Sequence, residues 1–117
     1  MNNNQRKEKI LADIATAREQ GYTLIQDDWG LKIQSCACAL GCVNVANGTR
    51  PDDQEYGGVA EVLGVDQKWL YSFMDGFDDN GNADGASTPE AWQLGADIRK
   101  ETNPISYAEF VDKMDTL

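Results

Sequence analysis

Histidine is absent from this chain. With it go the Ser-His and Cys-His nucleophile pairs, imidazole metal ligands and the side chain that ordinarily titrates near neutral pH. Basic residues are scarce in the middle, where residues 52 to 90 hold ten acidic side chains and only Lys68. Such a segment repels phosphate backbones and anionic lipid, so direct binding to nucleic acid or membrane is disfavoured. Long apolar runs are missing too. The longest, CACALGCV at residues 36 to 43, falls far short of the roughly 20 residues that span a bilayer. The N-terminal MNNNQRKEKILADIATAREQ lacks the apolar stretch of a secretory signal. The protein is therefore expected in a cytosol, of a cell or of a virus-infected host.

What is present describes one globular domain over residues 1–117. The chain is 41% hydrophobic and 26% charged, a composition that folds. Twenty Asp and Glu oppose ten Lys and Arg, for a net charge of -10. Residues 1 to 50 carry six basic and five acidic groups, so nine of the ten net negatives fall in residues 52 to 90. Such an excess keeps a small protein soluble, and it also attracts cations or a basic protein surface.

Helical signals run the length of the chain. Ile10, Leu11, Ile14 and Ala17 recur at helical spacing, and Gly21 is a natural stop, which predicts a first helix over Gln5 to Gln20. Residues 22 to 34 read as a connector with a short extended piece. Ser35 is placed to cap a second helix, CACALGCVNVA, ended by Asn47-Gly48. Val59, Val62 and Leu63 make a short apolar face that ends at Gly64. Asp66 caps a helix whose stripe is Trp69, Leu70, Phe73 and Met74. Thr88 or Ser87 caps the next, with Pro89 in its first turn, and that helix covers residues 89 to 102. Gly95 on its face would let a neighbouring helix approach closely. Ser106 with Glu109 has capping-box spacing and opens the last helix. No β-hairpin signal appears. The expectation is an all-α fold of five or six short helices around Trp69, Phe73, Trp92, Leu94, Ile98 and the small second helix.

The stretch FMDGFDDNGNADGASTPEAWQLG, residues 73 to 95, raises the one metal question. An EF-hand loop needs oxygen ligands at positions 1, 3 and 5, glycine at 6 and a bidentate glutamate at 12. Counted from Asn80, the frame supplies Asn80, Asn82, Asp84 and Gly85, but position 12 is Ala91, with Glu90 one place early. Calcium held by Asn80, Asn82, Asp84 and Glu90 would be bound only in the weak millimolar class. The same residues are ordinary turn formers, since Asn and Asp tolerate left-handed backbone and satisfy their own amides.

Cys36, Cys38 and Cys42 offer no fourth ligand for zinc or an iron–sulfur cluster, and their odd count suits reduced thiols packed as small apolar groups. A catalytic alternative is Cys36 at the start of the second helix, where the dipole would lower its pKa. The pairs Asp27-Asp28, Asp52-Asp53 and Asp78-Asp79 adjoin in the chain rather than face each other, so catalysis by paired carboxylates is not expected.

CALGC at 38–42, GFDD at 76–79 and LGADIRK at 94–100 together resemble a pattern of small proteins of bacteria and their phages that carries no established activity. The resemblance implies a compact helical domain and an accessory role. This chain departs from that pattern in the long Asn and Asp insertion after Phe77.

The sequence thus leads to a non-enzymatic acidic interaction module without a cofactor. Asp52, Asp53, Glu55, Asp75, Asp78 and Asp79 are its expected contacts to a basic protein surface, in the manner of a phage-type inhibitor. The alternative is a calcium-binding module with a degenerate EF-hand-like loop at residues 80–91.

Overall fold

The computed structural model describes residues 1–52 and 56–115. Among these residues six helices are joined by four very short strands, so the fold is mixed α/β and the all-α expectation is corrected. The chain runs α1 (Asn3–Glu19), β1 (Thr23–Gln26), β2 (Gly30–Leu31), a single 3-10 turn (Lys32–Gln34), β3 (Cys36–Ala37), α2 (Ala39–Ala46) and α3 (Tyr56–Leu63). It continues through α4 (Gln67–Phe77), α5 (Pro89–Thr102), β4 (Ile105–Ser106) and α6 (Tyr107–Asp115).

The sheet order is β2-β3-β1-β4, with β1 parallel to both neighbours and β2 antiparallel to β3. Leu24 and Ile25 in β1 are both buried, because successive side chains point to opposite faces and both faces are covered. Leu24 joins the main core, whereas Ile25 packs with Cys36 and Phe110 of α6. A strand buried on both sides shows no alternation, and two-residue strands show no period at all. That is why the connector gave up only a hint of extension.

The second helix starts three residues later than its sequence suggests. Cys36 and Ala37 pair with β1 as strand β3, so the cap is Cys38, whose Sγ accepts from the Gly41 N–H at 3.3 Å. Ser35 instead adopts a left-handed conformation, at φ 54°, after the 3-10 turn.

The other helix boundaries follow local chemistry. Asp66 accepts from the Trp69 N–H at 2.9 Å, Pro89 opens α5, and Ser106 Oγ accepts from the Glu109 N–H at 3.1 Å. Along α4, Trp69 stacks on Phe73 at 5.4 Å and Phe73 on Phe77 at 6.4 Å between ring centres. This row is the spine of the main core, with Ile10, Ile14, Leu40, Val43, Leu63, Leu70 and Ile98 against it. Trp92 is half-buried rather than central; its indole N–H donates to the Asn80 carbonyl at 2.9 Å. Arg6 donates to the Leu63 and Gly64 carbonyls at the end of α3 and lies 5.7 Å from the Trp69 ring, which ties α1 to both helices.

The tightest element pair is α4 against α5. An added Cβ on Gly95 would lie 2.1 Å from the Phe73 carbonyl oxygen, and one on Gly76 would lie 1.9 Å from that of Trp92. The expected close approach at Gly95 is therefore met by a second glycine from the facing helix.

Candidate functional site

The turn after β1 and the end of α4 meet in space although 51 residues separate Asp27 from Asp78. Asp78 Oδ1 accepts from the Asp27 N–H at 3.0 Å, and Gln26 Nε2 donates to the Phe77 carbonyl at 2.7 Å. Asp28 Oδ1 caps its own turn by accepting from the Gly30 N–H at 2.9 Å. Only glycine serves at position 30, where φ is 102° and a Cβ would fall 2.1 Å from the Cys36 carbonyl oxygen. The turn is also clasped to the start of α2, since the Trp29 carbonyl accepts from the Cys38 N–H at 3.1 Å.

Helix α4 ends in a Schellman motif. The Asn80 N–H reaches the Asp75 carbonyl at 2.8 Å, the Asp79 N–H reaches that of Gly76 at 3.3 Å, and Asp79 takes the left-handed conformation. Asp78 and Asp79 therefore sit where the helix dipole disfavours negative charge, at a cost of roughly 0.3–1 kcal/mol each. Asp27 is also left-handed, at φ 71°. Asp79 is paired with Arg99 at 3.1 Å. Asp27, Asp28 and Asp78 have no basic partner within ion-pair distance among the described residues.

Burial raises the Asp78 carboxyl to about 6, with the Asp27 and Asp75 charges pushing the same way and the Asp27 N–H opposing them. Between the turn and α4 lies a cleft of about 100 Å³. Its base is apolar and buried, formed by Ala39, Leu40, Phe73 and Phe77, with half-buried Trp29 and Met74 above. Asp27 and Asp28 stand exposed at its edge beside Asp78. Drug-sized ligands and cofactors ordinarily need about 300 Å³ or more, so this space suits a single side chain. On the other side of Asp78 a wider groove is bordered by Arg99 and Lys100. The uncompensated negative charge therefore belongs to the Trp29 side.

Of the sequence-predicted contacts, the structure gathers Asp75, Asp78 and Asp79 at this end of α4. Asp52 borders a separate groove with Lys32 and Arg50, 3.9 Å from the Arg50 guanidinium. Asp53 and Glu55 lie outside the described residues. Asp66 serves as the cap at the opposite end of α4. Asp27 and Asp28, set aside in the sequence as a non-catalytic pair, are the additions; the turn that places them, with Asp27 left-handed, is not written in any local motif.

In the calcium-candidate loop, Asn82 spends its side-chain oxygen on the Gly85 N–H at 2.8 Å, and the Asn80 carbonyl takes the Trp92 indole. Asp84 and Glu90 are exposed. Among the described residues no group of three or more His, Cys, Asp or Glu side chains gathers to hold a metal ion.

Cys36 is not at a helix N-terminus but inside the sheet, fully buried, and burial pushes its thiol up. Burial also pushes Cys38 up to about 12 and raises Cys42 further. The nucleophilic reading of Cys36 loses its physical basis. All three thiols are expected to react with iodoacetamide only slowly in the folded protein near neutral pH and quickly in denaturant. One fast-labelling thiol in the native state would contradict the burial seen here.

No helix among the described residues is long and apolar enough to cross a membrane. No protein family, curated protein or solved structure matches this chain.

Proposed function

We propose that this protein is a small acidic interaction module that docks a basic protein surface on Asp27, Asp28, Asp75 and Asp78, with Asp79 held by Arg99 beside them. The observation that carries this reading is where the charge is kept. Two aspartates occupy the unfavourable end of a helix dipole, one partly buried carboxyl is raised to about 6, and two non-glycine residues are left-handed, all at one spot. Local costs gathered in this way support a role for these positions in binding rather than in stability. A surface that ordinarily binds phosphates meets comparable negative charge here, so an inhibitory role toward a nucleic-acid-binding partner fits the same chemistry.

The test uses a peptide rich in arginine and lysine as the probe, with calorimetry at several salt concentrations. Affinity is expected to fall about tenfold or more from about 50 to about 300 mM salt, as exposed charges are screened. The double variant Asp27→Asn/Asp78→Asn is expected to lose at least fivefold more affinity than Asp84→Asn/Glu90→Gln, which removes the same charge from two exposed positions outside the cleft, one in the loop and one in the first turn of α5. Equal losses for the two doubles would reduce the effect to net charge and remove the proposed face.

A further inference from the structure

We propose that the cleft beneath this acidic face is a socket for one apolar side chain that the partner presents between basic residues. This rests on the acidic-surface reading above and adds the element that net charge cannot supply, namely specificity. The order of polarity across the site decides the occupant. Cys38, Ala39, Leu40, Phe73 and Phe77 are the buried lining, Asp78 is half-buried beside them, and Asp27 and Asp28 are exposed. A lysine or arginine inserted end first would place its cation among five buried, largely apolar side chains and would lose most of its hydration there, with Asp78 the one half-buried carboxylate in the lining. An aliphatic or aromatic side chain fits the base, and cations on the residues flanking it fall at Asp27, Asp28 and Asp78. The approximately 100 Å³ of space matches one such side chain. The walls suit the purpose as well: Met74 adapts to irregular shapes, and Trp29 adds a broad apolar surface.

The arrangement is that of an interface anchor: one apolar residue buried in a pocket and ringed by charge pairs that exclude water. Binding through charge alone would be salt-dependent and indifferent to the residue between the cations. Binding through the socket depends on that residue.

The experiment compares capped pentapeptides of sequence Arg-Lys-X-Lys-Arg, with X as alanine, leucine or aspartate, against the full chain by calorimetry and by tryptophan fluorescence. The leucine peptide is expected to bind at least tenfold more tightly than the alanine peptide, the ratio that 1.4 kcal/mol corresponds to. This preference should persist at high salt, where both affinities fall together. The aspartate peptide should bind more weakly than the alanine one. Met74→Trp, which fills the cleft from a half-buried position without altering charge, is expected to erase the preference of leucine over alanine. Equal affinity for the leucine and alanine peptides would overturn the socket and leave the acidic face standing. Failure of every peptide to bind at low salt would overturn both.

Discussion

A single methyl group at Gly95 or Gly76 is expected to destabilise the folded chain by about 3 kcal/mol or more. The two glycines face each other's helix backbone where α4 crosses α5. An added Cβ at Gly95 would lie 2.1 Å from the Phe73 carbonyl oxygen and 2.8 Å from the Phe77 nitrogen; at Gly76 it would lie 1.9 Å from the Trp92 carbonyl oxygen. These neighbours are main-chain atoms, so no rotamer change relieves the contact and the helices must part. Overpacking ordinarily costs 1–3 kcal/mol, and rigid backbone on both sides puts this case at the top of that range or above it. Alanine's better helix propensity returns only about 1 kcal/mol. Urea unfolding of G95A and G76A should show a much lower midpoint with an unchanged slope. A G95A protein within 1 kcal/mol of the parent, by the same measure, would mean the two helices are not packed this closely. The consequence reaches the site, because Phe73 and Phe77 on this crossing form the base of the cleft.

The second expectation concerns Asp78 and runs in the opposite direction. Its carboxyl is raised from 3.8 to about 6, chiefly by burial. The folded protein therefore holds a proton that the unfolded chain has released between about pH 4 and pH 6. Within that window the folded state binds more protons, so this group's contribution to stability declines as pH rises and reaches its full penalty above about pH 6. A tenfold difference in proton affinity between the folded and unfolded chain corresponds to about 1.4 kcal/mol. The carboxyl is partly solvated, which screens its charge and lowers the penalty to about 1–2 kcal/mol at neutral pH.

Asp78→Asn keeps the oxygen that accepts from the Asp27 N–H and removes the charge. It should raise the thermal midpoint at pH 7.5 by about 4–8 °C and flatten the decline between pH 4 and 6. The same variant should bind the basic probe more weakly. A gain in stability joined to a loss of binding is the signature of a group kept for function. An asparagine variant less stable than the parent at pH 7.5 would show that the Asp78 charge is compensated in the fold.

Local chemistry carried much of the helical framework. Gly21, Asp66, Pro89 and Ser106 each mark a boundary through a bond or a backbone angle within one turn, and each is found at work in the structure. Gly95 announced a close contact, though not its partner Gly76. The strands left no comparable trace. CACALGCV read as one helical run, because small apolar residues fit a strand and a buried helix equally well. Only pairing with Thr23 and Leu24 assigns Cys36 and Ala37 to the sheet. In the same way Ile105 became a strand by lying beside Ile25, a partner 80 residues away.

Composition and spacing by themselves determined the acid excess, its concentration in the middle of the chain and the caps of most helices, because those properties depend on residues within a turn of one another. The tertiary structure alone decided that the fold contains a sheet, that Cys36 is buried in it, and that Asp27 and Asp28 join Asp78 over an apolar cleft. Each of those outcomes requires segments distant in the chain to meet, and the energy of such meetings lies in hydrogen bonds and burial that no local pattern encodes.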